Sequence, residues 1–187
     1  MPDRYPGGQP AACPRRQGRG AFIVSGPAVI AVSGVKNSGK TTFLEHVTPI
    51  LRAMGLRVGI IKHDGHDFEP DVPGTDSRRL REAGAQAVAV YSANRWMLVR
   101  EEPDVALSDL LDQMRGMDVV LLEGQKHSDW PKIELVRAAV SNESVCRPDT
   151  LLALATDTGV RIPGVPALPL DGYEDAARLI FSCVKRL

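Results

Sequence analysis

The clearest chemistry in this chain lies in GVKNSGKT, Gly34 to Thr41, which fits the spacing G-x-x-x-x-G-K-[ST]. That spacing wraps backbone N–H groups around the α and β phosphates of a nucleotide. Gly34 and Gly39 open backbone angles closed to other residues, so the amides between them, including those of Asn37 and Ser38, turn inward together. The helix that follows adds its positive end. Lys40 is placed to reach the β and γ phosphates, Thr41 to ligate Mg²⁺ through its hydroxyl, and Thr42 to support a neighbouring phosphate. Lys36, inside the loop, either touches phosphate or points to solvent.

A phosphate loop also needs a carboxylate from a neighbouring strand to hold Mg²⁺ or its water shell. DVVLLEG offers Asp118, which opens a strand, and Glu123, which closes it. Ligands of open α/β sheets gather outside the carboxyl ends of the strands, which selects Glu123, followed by the small Gly124. Asp118 then reads as a cap or surface residue. Asp64 and Asp67, beyond another strand's carboxyl end, either position metal-bound water or are solvated.

Seven short apolar runs must carry these groups: AVIAVSG, RVGIIKH, AVAVYS, RWMLVR, DVVLLEG, KIELVR and LLALATD. Several lack polar alternation, as strands covered on both faces do, so an α/β sandwich with a largely parallel sheet is expected. A helix is predicted over about Gly39 to Met54, with Leu44, Val47 and Leu51 on one face and Gly55 as its stop. Further helices are predicted over Asp76 to Glu82, with Asp76 as N-cap, over Val105 to Arg115, and over Tyr173 to Arg186. AVAVYS and RWMLVR are separated only by Ala93 and Asn94, too little chain for a parallel crossover, so they should form an antiparallel hairpin within the sheet.

Composition narrows the classes. At 187 residues, 43% hydrophobic and 25% charged, the chain suits one soluble α/β domain, expected over residues 22–187. Residues 1–21 are rich in Pro, Gly and Arg and are expected to form a disordered arm. The 23 Lys and Arg balance the 23 Asp and Glu, so no global field favours nucleic acid or a membrane surface. No apolar run is long enough to span a bilayer and no signal peptide is evident, which points to the cytoplasm. Three cysteines far apart, in no CxxC pair, suggest neither a disulfide framework nor a zinc site.

Behind GVKNSGKTT come IIKHDGHDFEPDVPGTDSRRLREAGA, the hairpin with RWMLVR, DVVLLEGQKHSDWPKIELVR and a late ATD, and in this order they resemble the MobB family. The likeness is strong over about Val29 to Arg137; it departs at Gln125, where the family usually has an aromatic, and in the N-terminal arm. It implies a P-loop NTPase three-layer sandwich and a homodimer that binds GTP with Mg²⁺ and hydrolyses it weakly. It also implies cooperation with the MobA guanylyltransferase, which attaches GMP to molybdopterin in molybdenum cofactor biosynthesis.

Set beside that likeness, Thr156 and Asp157 follow a late strand, where a carboxylate could accept the N1 and N2 hydrogens of guanine; otherwise they form a turn. Lys62, His63 and His66 follow one strand, and Lys126, His127 and Lys132 follow another. Together they could hold a second anionic ligand, the phosphate of molybdopterin, or simply be solvated loops. Arg78, Arg79 and Arg81 cannot all face one ligand, so most are expected to be solvated and at best one to act on the γ phosphate; no residue identifies itself as a water-positioning glutamine, so hydrolysis should be slow or partner-stimulated. Tyr91, Trp96 and Met97 of the hairpin are either core or a dimer contact. Two alternatives stay open: a P-loop small-molecule kinase using ATP, for which no arginine-rich lid stands out, and an adaptor that nucleotide merely stabilises.

Overall fold

The structure, a computed structural model, describes residues 26–65 and 67–185, so the expected arm at 1–21 and His66 lie outside the described residues. In chain order the elements are β1 (Ala28–Ser33), α1 (Lys40–Ala53), β2 (Val58–Lys62), α2 (Asp76–Glu82), β3 (Ala87–Tyr91), β4 (Trp96–Arg100), α3 (Leu107–Gln113), β5 (Val119–Glu123), β6 (Lys132–Val136), β7 (Leu151–Thr156), β8 (Ala167–Leu168) and α4 (Tyr173–Val184). They fall into two compact units, one comprising the chain up to His63 and from Leu111 onward, the other Asp64–Leu110.

The first unit holds a six-stranded sheet in the order β2-β5-β1-β6-β7-β8, with every pairing parallel. Strands β5 and β7 are apolar almost throughout because both their faces are covered, the pattern that parallel sheets require, and β6 is buried along its length although it carries Lys132 and Glu134. On one face, Ile30, Val32, Val119, Leu121, Ile133 and Leu135 meet Phe43, Leu44, Val47 and Leu51 of α1 and Ala176, Ala177 and Ile180 of α4. The predicted stripe of α1 is therefore the buried one. Tyr173 joins the two helices, stacking on His46 at 4.5 Å between centroids and meeting Phe43 edge-on at 5.7 Å. Gly55, at φ 89, stops α1 as expected: its N–H donates to the Arg52 carbonyl. The pleat turns Gly59 to the opposite face from Val58, and there Met114 and Met117 close on it. The result is the mostly parallel three-layer sandwich of P-loop NTPases, with β8 as an unpredicted addition.

Asp118 sits at the opposite end of β5 from Glu123, about 16 Å away at the usual rise per residue. It clamps the entry of β2: Arg57 donates Nε, Nη2 and its backbone N–H to the Asp118 carboxylate at 3.1, 2.8 and 2.7 Å. The Arg57 side-chain hydrogen bonds hold the Asp118 carboxyl down at about 2.

The second unit differs from expectation in three ways. The hairpin β3–β4 pairs antiparallel from Ala87↔Arg100 to Tyr91↔Trp96, but as a two-stranded sheet of its own. Thr75, and not Asp76, is the N-cap of α2; Asp76 is in its first turn. Arg81 is not a solvated helix arginine. Its side chain is 9% exposed and faces Glu69, Asp71 (3.6 Å) and Glu101 (2.8 Å). Among the described residues of this unit Val88 is the one buried apolar side chain, while Phe68, Val72, Tyr91, Trp96 and Leu98 are exposed. Ionic pairing about Arg81 therefore does work that apolar burial does in the first unit.

Candidate functional site

The phosphate loop runs from the carboxyl end of β1 to the first turn of α1, and each of its special residues has a local cause. Gly34 has φ 138, and a Cβ built there would stand 2.5 Å from the Leu135 carbonyl oxygen and 2.7 Å from Ser38 Oγ. Only glycine fits between the loop and the neighbouring β6 backbone. Gly39, at φ 93, precedes α1 as its N-cap with no side-chain cap, and the first turn carries no acidic residue, so the helix end keeps its positive field. Asn37 takes φ 64; Lys36, Asn37, Thr41 and Thr42 are exposed. Ser38 is 1% exposed, and its hydroxyl finds no hydrogen-bond partner.

Lys40 folds back over the loop. Its ammonium donates to the carbonyls of Val35 at 2.7 Å and Gly34 at 3.4 Å. Burial lowers its pKa most; Glu123 opposes that, and Lys126 and Lys62 add to it. These four side chains therefore share one electrostatic neighbourhood, with three cations to one carboxylate. The Thr41 hydroxyl donates to Glu123 Oε1 at 2.9 Å, and Lys62 Nζ lies 3.8 Å from the same oxygen.

A hydroxyl and a carboxylate in mutual contact are two hard oxygen donors, and they fit Mg²⁺, which prefers one or two protein ligands beside phosphate oxygens and water. Asp64 and Asp67, the other expected acidic residues, belong to the second unit and are exposed. Among the described residues, no group of three or more His, Cys, Asp or Glu is placed to hold a metal.

Beyond Glu123 the chain turns sharply through Gly124 at φ 106 and Gln125 at φ 59. Ser33 donates its hydroxyl to the Gly124 carbonyl, and the Gly124 N–H donates to Val32 at 2.9 Å, so β1 fixes this turn directly. Lys126 and His127 are exposed at its tip, and His63 is exposed after β2. Lys132 departs from its expected place among these cations. It is 0% exposed, and its ammonium donates to the carbonyls of Ser128 (2.6 Å), Gln125 (3.2 Å) and Lys126 (3.4 Å). Burial lowers its pKa.

Thr156 and Asp157 end β7, two strands and about 10 Å from β1 at the usual strand spacing. Asp157 Oδ1 accepts the Ala138 N–H at 2.7 Å, and Thr156 Oγ1 accepts the Thr158 N–H at 2.9 Å. A cavity of about 440 Å³, missed from the sequence, opens between α1 and β2 against Thr41, Leu44, Pro49, Ile60 and Glu123. No sequence signal marks it, because its walls come from elements whose pairing is long-range.

Behind the loop, Glu134 is fully buried and its carboxylate accepts the Ser144 hydroxyl and the Val145 N–H at 2.7 Å. Burial first, then Glu134, pushes the Cys146 thiol up to about 12. A raised thiol pKa contributes stability that is complete below the unfolded value near 9 and is lost as pH climbs toward the folded one. At pH 9, iodoacetamide is therefore expected to label Cys146 roughly a hundredfold more slowly in the native protein than in urea, read peptide by peptide in a mass spectrometer. Equal labelling rates would show that the thiol is neither buried nor raised.

A family model described as "Molybdopterin guanine dinucleotide synthesis protein B" matches residues 29–157. The chain is 34% identical over 170 residues to the molybdopterin-guanine dinucleotide biosynthesis adapter protein of Escherichia coli K12, covering 84% of this chain and 94% of that one. It is 36% identical over 137 residues to the protein of the same name in Haemophilus influenzae, covering 72% and 77%. The crystal structure of Bacillus subtilis MobB superposes with a TM-score of 0.69 at 26% identity, over 83% of this chain and 97% of that one. Sequence and fold agree, and the chain belongs to the MobB family of molybdopterin-guanine dinucleotide biosynthesis proteins.

Proposed function

We propose that this chain is a GTP-binding adapter of molybdenum cofactor biosynthesis, assisting a MobA-type guanylyltransferase in converting molybdopterin to its guanine dinucleotide. The observation that carries this reading is the contact of Thr41 Oγ1 with Glu123 Oε1 at the mouth of a loop that only glycine can close. Amides from Gly34 to Gly39 take the phosphates; Lys36 adds charge at the rim, and Lys40 exchanges its loop carbonyls for the β and γ oxygens. Thr42 supports the outer phosphate. Thr41 and Glu123 would hold Mg²⁺, which when bound would neutralise charge on the terminal phosphates. Thr156 and Asp157 read the guanine edge.

The exposed Lys62, His63, Lys126 and His127 form the face for a second anion, the molybdopterin phosphate. Hydrolysis is at most slow, because no side chain of the loop is suited to orient water. Tyr91, Trp96 and Met97, exposed on the hairpin, supply the contact of a homodimer.

Calorimetric titration with GTP and ATP, each with Mg²⁺, tests the reading. Selective, Mg²⁺-dependent GTP binding is expected, weakened roughly a hundredfold in Lys40→Ala with no change in fold. Preference for ATP would overturn the guanine assignment and favour a small-molecule kinase. No binding of either nucleotide would reduce the chain to a nucleotide-independent adaptor.

A further inference from the structure

Strands β2 and β5 run parallel with Lys62 level with Glu123, so both side chains leave the sheet at its carboxyl end beside α1. Glu123 is 11% exposed and Lys62 is 54% exposed. A carboxylate that enclosed needs a counter-charge. Lys40 does not provide a direct one, because its ammonium is spent on the Val35 and Gly34 carbonyls. Lys62 does, from 3.8 Å, and it addresses the oxygen that also accepts the Thr41 hydroxyl.

That oxygen is the one a magnesium ion would take as a ligand. An ammonium on the same oxygen would then face a divalent cation at close range, and the two cannot both remain. Lys62 is the one able to yield, since it is a long, half-exposed side chain at a sheet edge.

We propose that Lys62 is a resident counter-ion of Glu123 in the nucleotide-free site and competes there with Mg²⁺. It holds the carboxylate aimed at Thr41 until the metal arrives, and it sets the Mg²⁺ concentration at which nucleotide is retained. Lys62 is thus a positioning residue and not a simple phosphate ligand. The inference rests on the nucleotide reading above and adds to it a control on metal loading.

GTP affinity measured by calorimetry at a series of fixed free Mg²⁺ concentrations tests it, for wild type, Lys62→Met, Lys62→Arg and Glu123→Gln, with circular dichroism confirming the fold. Lys62→Met is expected to lower the half-saturating Mg²⁺ concentration about threefold, the scale of a partly exposed ion pair. Lys62→Arg should stay near wild type, and Glu123→Gln should flatten the Mg²⁺ dependence. Weakening of GTP binding by Lys62→Met equally at every Mg²⁺ concentration would make Lys62 a phosphate ligand and overturn the proposal alone. Absence of GTP binding to wild type at any Mg²⁺ would overturn the nucleotide reading and this proposal together.

Discussion

Replacing Gly34 by Ala is expected to cost about 4 kcal/mol of stability and to abolish nucleotide binding in the same stroke. The added methyl carbon would stand 2.5 Å from the backbone oxygen of Leu135, where β6 cannot retreat without leaving β1 and β7. Overpacking of this kind costs about 1–3 kcal/mol, and holding a side-chain-bearing residue at φ 138 costs a similar amount. The sum is a large share of a stability of about 5–15 kcal/mol, and for a chain of this size it corresponds to a fall of roughly 12 °C in melting temperature.

Gly39→Ala separates the two consequences. At Gly39 a Cβ would meet nothing within 4 Å, so only the cost of φ 93 remains, about 1 kcal/mol. Thermal melts monitored by circular dichroism should therefore rank wild type, Gly39→Ala and Gly34→Ala in that order, with the second gap the larger. Equal melting of the two variants would show that the loop is not packed on β6 as described.

What the sequence reveals and what it hides divide along chain distance. The loop was legible because its chemistry is local: eight consecutive residues between an apolar run and an amphipathic helix. Glu123 could be preferred to Asp118 because a parallel strand has polarity, and the structure places Asp118 at the far end in an ion pair with Arg57. The hairpin followed from its two-residue gap, but its separation from the main sheet depends on partners that no local pattern encodes. Strand β8 is two residues between Pro166 and Pro169, too short to carry a period.

Lys132 and Arg81 were misjudged for one reason. A lysine opening a strand and an arginine on a short helix normally reach water, and only the folded chain brings loop carbonyls or distant carboxylates against them. The pairing of Lys62 with Glu123 is hidden likewise, since it requires the order of two strands more than 50 residues apart.

Lys132 has the second large expected effect. Its ammonium is the donor for three carbonyls of one loop, and the residue is fully buried. Lys132→Met preserves the stem and removes the donor, so the Ser128 carbonyl, bonded at 2.6 Å, and that of Lys126 lose the ammonium, while the Gln125 carbonyl keeps only the Ser128 N–H and hydroxyl. Loss of charge-assisted bonds to enclosed carbonyls is expected to cost about 3 kcal/mol, close to 8 °C in melting temperature.

The same change should reach the site through Gln125. Its backbone at φ 59 is held between the Gly124 turn and the Lys132 bond, and the residues it aims are Lys126 and His127. Amide hydrogen exchange across residues 124–130 should therefore quicken in Lys132→Met while that of β1 and β5 keeps its order. If instead the variant melts with wild type and exchange in the turn is unchanged, the buried ammonium does not hold the loop. The exposed cations beyond Glu123 would then owe their placement to Gly124, to Ser33 and to the Ser128 bonds on the Gln125 carbonyl.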